Sequence, residues 1–425
     1  MLKRRLAPVS EQITQLFRDT RSQSVVLCAP LNSEDYTLQA EAFTSPPKWH
    51  LAHTTWFFET FLLKPFAENY ATPEPRYEVM FNSYYNGIGE QFPRGQRGLL
   101  SRPTVSEVLE YRAHVDAAMM VLINDQSHLQ RQTILSRTTL GVEHERQHQE
   151  LFFTDLKYSL AINPLLPTYV EVEAARSQAR SAIRWHVYPG GLVHLGYAGE
   201  HFCFDNELPR HQAFVQPFEL ADRLVTNAEY QGFIADGGYQ RSDLWLADGW
   251  EAVQTQRWQA PQYWIDRDGE ELEFTLHGLV NRSANTPVCH VSGYEADAYA
   301  RWSEARLPTE QEWELAASAE PDASEGIDGG IYHPRAAPEH TGIKQLYGSC
   351  WQWTSSAYSP YPGYQSSPGA IGEYNGKFMS NQWVLRGGSC VSKAEQVRSS
   401  YRNFFYPPDR WQFSGIRLAR NASSN

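Results

Sequence analysis

Between residues 10 and 161 apolar side chains recur mostly at helical spacing, and glycine is scarce outside a loop at 87–98. The pattern predicts helices over 10–20, 35–40, 47–63, 104–125 and 133–161, which together read as an up-down bundle. Pro46 and Pro47 open the third, and Ser101-Arg102-Pro103-Thr104 puts Pro and Thr at the start of the fourth. Asn163-Pro164-Leu165-Leu166-Pro167-Thr168 ends the helical texture, and a polar connector with Glu171, Glu173, Arg176 and Arg180 runs to about Arg184. Beyond it short alternating runs separated by Gly, Pro and Asn predict strands, with helices from Thr226 to Asp236, from Ser292 to Ala305 and from Thr309 to Ala317. The expected class is α+β: a helical domain over 1–165, a linker over 166–184 and a strand-rich domain over 185–425.

Composition narrows the function. A chain of 425 residues exceeds one ordinary core, in keeping with two domains. Aromatic residues make up 13%, including 13 Trp and 23 Tyr, and crowd the C-terminal half, as a substrate cavity or a loop-rich domain would require. A net charge of -12 repels a phosphate backbone, so a small ligand is expected and nucleic acid is not. The basic start Met1 to Arg5 is followed by Pro8, Ser10, Glu11 and Gln12, which leaves no apolar signal-peptide core. No stretch approaches the ~20 apolar residues of a membrane span, and a cytoplasmic location is expected. Cys28, Cys203, Cys289, Cys350 and Cys390 lack a C-x2-C pair and are expected to be reduced core or pocket residues.

The candidate chemistry lies in the bundle. His144-Glu145-Arg146-Gln147-His148 sets two imidazoles about one helical turn apart, so that both reach a single metal ion. His148 is followed by Leu151, Phe152, Asp155, Leu156 and Leu160, which aligns the pair with a bundle-facing stripe. Upstream, His50 and His53 sit among large apolar residues and offer a third ligand. The same five residues also fit H-E-x-x-H, in which the glutamate of a zinc peptidase is the general base. The extended form of that motif needs Gly and His where this chain has Leu151 and Thr154, and a carboxylate such as Glu171 would fall in the linker.

Several further stretches carry a resemblance. They are Trp49-His50-Leu51-Ala52-His53, Phe81-Asn82-Ser83-Tyr84-Tyr85, Arg97-Gly98-Leu99-Leu100-Ser101-Arg102-Pro103 and His144 to Glu150 in the first half. In the second half they are Phe204-Asp205-Asn206-Glu207-Leu208-Pro209, Val225-Thr226-Asn227, Arg306 to Glu314 and Arg386-Gly387-Gly388-Ser389. With these the chain resembles, along essentially its whole length, the EgtB family of non-haem iron sulfoxide synthases of ergothioneine biosynthesis. The resemblance implies a DinB-like four-helix domain followed by a C-type-lectin-like domain shared with formylglycine-generating enzymes. Those enzymes depend on a close cysteine pair after Arg-Gly-Gly-Ser, where only Cys390 stands here. Ovothiol synthases usually add a C-terminal methyltransferase domain, for which the sequence given leaves no room.

The resemblance implies an O2-dependent enzyme joining the sulfur of cysteine to C2 of the hercynine imidazole and oxidising that sulfur, at a site between the domains. It implies His53, His144 and His148 as Fe(II) ligands, leaving His50 on the helix face or behind them. Gln147 matches a residue on the hercynine side, and Arg94 and Arg97 match by spacing a pair that binds the sulfur donor's carboxylates. Asn403, Phe404 and Phe405 stand where better-known members read Asn-Trp-Asp. Aromatic faces suit a quaternary ammonium, and loss of the acid favours free cysteine over γ-glutamylcysteine. A subgroup sharing this Asn-Phe-Phe pattern points to Tyr84 and Tyr85 as proton or hydrogen-bond donors; Tyr374 stands near the region where other members keep a catalytic tyrosine, without matching it. The lectin-like fold can carry a structural Ca2+, against which Ser349 and Gln352 argue, standing where an Asn and an acid are common. Rival classes are a zinc DinB-type thiol transferase or hydrolase, and a binding module with a lectin-like head on a helical stalk.

Overall fold

The computed structural model describes residues 9–171, 182–320, 326–339 and 342–422. Met1 to Arg5 and the connector residues Glu173, Arg176 and Arg180 lie outside them. The chain packs as two units, one of Met1–Ile162 with Ser367–Tyr374, the other of Asn163–Ser366 with Asn375–Asn425.

The first unit is built on four long helices: α1 (Val9–Cys28), α2 (Pro47–Phe58), α3 (Val105–Asn124) and α4 (Arg131–Ile162). Pro47 occupies the first turn of α2, where its missing N–H costs nothing. Thr104 caps α3 through a capping box with Glu107, satisfying two backbone donors reciprocally. The helix expected to run on to residue 63 changes at Glu59 into a single π-helical turn, Glu59–Leu63. The expected helix over 35–40 shrinks to a 3-10 turn, Asp35–Thr37. Gly141 lets α4 close on α2, because a Cβ there would stand 2.5 Å from the Phe58 ring.

α1 runs eight residues past the expected end, and the reason is electrostatic. Its last turns bury Thr20, Arg21 and Ser24, which no apolar periodicity marks. Arg21 donates to Glu145 at 2.9 Å and to Asp116 at 2.6 Å, and Ser24 donates to Glu145 at 2.6 Å. Arg112 of α3 completes the cluster on the same carboxylate. Burial alone would raise the Glu145 pKa, but Arg112, Arg21 and the Ser24 hydroxyl overcome it and hold the group down to about 2.

Among its described residues the second unit carries twelve short strands: β1 (Trp185–Tyr188), β2 (Gly191–Leu195), β3 (His211–Val215), β4 (Phe218–Ala221), β5 (Trp264–Arg267), β6 (Glu270–Thr275), β7 (Gly278–Asn281), β8 (Trp351–Ala357), β9 (Trp383–Arg386), β10 (Asn403–Phe405), β11 (Ser414–Gly415) and β12 (Ala419–Asn421). They form four small sheets, ordered β1-β4-β12, β10-β9-β8-β11, β2-β3 and β5-β6-β7. Helices α5 (Asn227–Ala235), α7 (Gly293–Trp302) and α8 (Glu310–Ala317) start at Thr226, Ser292 and Thr309, each closing a capping box three residues on. Between α5 and α7 lies a helix not expected from the sequence, α6 (Ala247–Gln256), whose first turn contains Asp248 and Gly249 and so reads as loop.

Sheets this short need another source of cohesion, and buried arginines supply it. Arg386 reaches Glu310 and Glu314 at 2.9 Å, and Arg402 pairs with Glu310. Gly387, at φ +101°, lets the chain pass Leu346 O, which a Cβ would meet at 2.3 Å. The Arg-Gly-Gly-Ser and Arg306 to Glu314 stretches are therefore the frame of this unit. Gln352, which stands where calcium-binding relatives of this fold commonly keep an acid, accepts from Trp313 and from the Arg417 guanidinium and donates to Leu346 O. A second cation there would face Arg417 directly. All five cysteines are free thiols, and Cys28, Cys289, Cys350 and Cys390 are buried. Among the described residues no helix is long and apolar enough to cross a membrane.

Replacing Glu145 by leucine strands the buried Arg112 guanidinium and leaves Arg21 only Asp116 as an ion-pair partner, and should lower stability by about 3–5 kcal/mol in urea unfolding at pH 7. The carboxylate's folded pKa lies below the ordinary 4.5. Its contribution is thus complete above about pH 4.5 and fades as pH falls toward 2. The deficit of the variant should therefore shrink in acid, and a deficit that is constant from pH 7 to pH 3 would contradict the assignment.

Candidate metal centre

Helix α2 is buried on every side, and the spacing Trp49, His53, Trp56 puts three rings on one face of it. The His53 imidazole stacks on Trp49 at 4.6 Å and 8° and on Trp56 at 5.5 Å and 18°, so its plane is fixed by its own helix. Its Nδ1 lies 2.6 Å from Phe81 O. A carbonyl only accepts, so Nδ1 carries the proton and Nε2 keeps its lone pair. That lone pair meets His144 Nε2 of α4 at 3.3 Å.

His144 and His148 stand one turn apart on α4 with ring centroids 4.6 Å apart, and His148 lies 4.7 Å from His53. One ring nitrogen from each of the three lies within 4.8 Å of those of the other two. Two ligands ~2.1 Å from one ion and at right angles would be about 3 Å apart, so the His53–His144 separation suits a shared cation. Burial depresses the basicity of all three rings. It takes His144 to about 3, and holds His53 and His148 well below the ordinary imidazole range with help from neighbouring histidines. Neutral imidazoles are the ligating form, and the buried His144 Nδ1 has no hydrogen-bond partner among the described residues. A set of three neutral nitrogen donors fits a first-row transition metal with positions left over for substrates.

Glu145 takes no part in this face. Rotated by one residue on α4, it is buried against Arg21, Arg112 and Ser24, with no carboxylate oxygen left to activate a water at the histidines. That removes the peptidase reading of the H-E-x-x-H pattern.

Around the histidines the unit gathers tyrosines. Tyr85 is fully buried against Trp56, Phe57 and Phe61, and the Tyr84 hydroxyl donates to its oxygen at 3.4 Å. Burial, then Tyr84 and Tyr374, push the Tyr85 pKa well above 10, so it stays a phenol. Tyr374 packs edge-on against His144 at 5.5 Å and its hydroxyl donates to Gln147. Tyr374 lies more than two hundred residues from α4, and no local sequence pattern announces the contact. Glu373 beside it accepts from the Asn86 and Gly87 N–H groups at 3.0 and 2.7 Å, tying 367–374 to the loop that follows Tyr84 and Tyr85.

The arginine pair divides. Arg97 is buried, its guanidinium 3.5 Å above the Trp49 ring, bonded to Ser45, with no hydrogen-bond partner for Nε among the described residues. Burial and Arg94 lower its pKa to about 9. Arg94 is exposed and donates to Phe43 O. Asn403, Phe404 and Phe405 belong to the second unit, on β10 paired with β9. Phe404 stacks on Tyr358 at 4.0 Å, Phe405 meets Trp411 edge-on at 5.4 Å, and Asn403 Oδ1 accepts from the Phe404 N–H.

Two family models match the chain: the DinB superfamily over residues 16–152, and the sulfatase-modifying factor enzyme 1-like domain over 171–336 and 330–422. The chain is 30% identical over 404 residues to the hercynine oxygenase of Mycobacterium tuberculosis, covering 90% of this chain and 92% of that protein. It is 35% identical over 317 residues to the hercynine oxygenase of Mycolicibacterium smegmatis, covering 67% and 71%. For that of Mycolicibacterium thermoresistibile the identity is 29% over 442 residues, covering 97% and 95%. With a trihistidine cluster in a DinB bundle and an arginine-framed second unit, the chain belongs to the hercynine oxygenase family and is an oxidoreductase of the oxygenase class.

Proposed function

We propose that the chain is an iron(II) sulfoxide synthase of ergothioneine biosynthesis that couples cysteine to hercynine with O2. The observation that carries this is the convergence of His53, His144 and His148 as neutral imidazoles, in a chain similar over most of its length to hercynine oxygenases. The reaction balances without an external reductant. The cysteine S–H and the imidazole C2–H are lost, one C–S bond forms, one oxygen atom stays on sulfur and the other leaves as water with the two hydrogens.

His53, His144 and His148 would hold the metal. Ferrous iron so held supplies vacant positions for the thiolate and the one-electron chemistry that O2 requires. Arg97, buried beside Trp49 with no partner for Nε among the described residues, suits a carboxylate of a bound amino acid, since its fork can bind two oxygens. Arg94 would add to the field at that position. Gln147 would orient the hercynine side, and Asn403, Phe404 and Phe405 would receive the betaine through aromatic faces and an amide. Tyr85, kept protonated by burial and joined to the partly exposed Tyr84, would deliver a proton from its Oη. The lack of an acid at Phe405 supports free cysteine, rather than γ-glutamylcysteine, as the sulfur donor.

His144→Ala should lose iron binding and sulfoxide formation together, read by metal analysis and product mass; full activity would remove the ligand set. Phe405→Asp should raise the use of γ-glutamylcysteine relative to cysteine, and an unchanged ratio of kcat/KM values would remove the reading of donor choice. Tyr85→Phe should retain iron while losing ~10²–10⁴ in rate, with Tyr374→Phe less affected. The reverse order would transfer the proton-donor role to Tyr374.

A further inference from the structure

His50 points to a hydrogen-bond chain behind the metal ligands. It lies on α2 with its ring nitrogens engaged on both sides: Nδ1 is 2.9 Å from His148 Nδ1, and Nε2 is 3.2 Å from Asp155 Oδ2. His148 and Asp155 are seven residues apart on α4, two turns along one face, so a single ring from α2 spans them. Both His50 and Asp155 are buried. The same Asp155 oxygen accepts the Ser45 N–H at 2.8 Å, which fixes the carboxylate from the segment leading into α2.

The direction of each bond follows from what its ends can do. A carboxylate oxygen accepts, so His50 Nε2 donates and a neutral His50 has its lone pair on Nδ1. That lone pair faces His148 Nδ1, which must then carry the proton. His148 is left with a lone pair on Nε2 only. His53 reaches the same tautomer independently, through Phe81 O. A cavity of about 20 Å³ beside His50 and His148, lined by Ser24, Leu51, Thr54 and Gln149, has room for about one water. Both ring nitrogens of His50 are already engaged, by His148 and by Asp155, so the ring acts on His148.

We propose that His50, anchored by Asp155, is a positioning residue that holds His148 in its Nδ1–H tautomer and directs Nε2 at the metal. This rests on the trihistidine reading above and deepens it. Partners of this kind typically contribute 10–100-fold in metal affinity, by fixing ring orientation and raising ligand basicity.

The test is an anaerobic titration of the full-length apoprotein with cobalt(II), following the visible ligand-field bands, together with thermal unfolding of each apoprotein. His50→Leu should weaken cobalt(II) binding 10–100-fold. His50→Gln can accept from His148 with its amide oxygen and donate to Asp155 with its amide nitrogen, and should stay within about 3-fold of the parent. Unchanged affinity in His50→Leu, or equal loss in both variants, overturns the proposal, because packing alone would then account for His50. Should His50→Leu fail to fold, long-range nitrogen–proton spectra of the zinc-loaded parent decide: a proton on His148 Nδ1 supports the proposal and a proton on Nε2 overturns it. A parent protein that binds neither cobalt(II) nor zinc would instead refute the metal site itself.

Discussion

The rotation of α4 about its own axis is set by one buried carboxylate. Glu145 is drawn into the bundle by Arg21 of α1 and Arg112 of α3, and with the helix so oriented its neighbours His144 and His148 turn toward α2. Adjacent helical positions differ by about 100° in direction, so an ion cluster and a histidine cluster can occupy successive residues without sharing atoms. This explains how a motif that reads as a peptidase signature serves a different purpose. The glutamate is spent on holding the helix, and the histidines are what it presents.

Burial then does chemical work on both faces. On one it makes the Glu145 cluster costly to break, since either charge alone would be stranded. On the other it disfavours the charged form of all three imidazoles, and stacking on Trp49 and Trp56 together with the Phe81 carbonyl fixes the His53 ring. The site is thus preorganised before any metal arrives, as precise ligand geometry demands.

Much of this was legible in the sequence. The His-x3-His spacing, the proline start of α2, the Thr104 start of α3 and the change of texture after Asn163 all follow from local rules that the structure obeys. The illegible parts depend on partners distant in sequence. The second half of α1 looks too polar to be buried until Glu145 is known to face it, and Tyr374 acquires meaning only once 367–374 is seen against α4. The end of α2 becomes a π-helical turn, and α6 hides behind Asp248 and Gly249 at its start. Choosing His53 over His50 required the resemblance to a known family, since spacing left both open. In the structure His50 has two hydrogen-bonded neighbours, and His53 has a lone pair aimed at His144.

The central claim is that His53, His144 and His148 meet on one ferrous ion. Iron-edge X-ray absorption of the anaerobically reconstituted protein measures this directly. The account predicts one tightly held iron per chain, with a ligand shell containing three imidazole nitrogens and light-atom ligands in the remaining positions. A protein that retains only zinc, or an iron shell with fewer than three imidazoles, would contradict it.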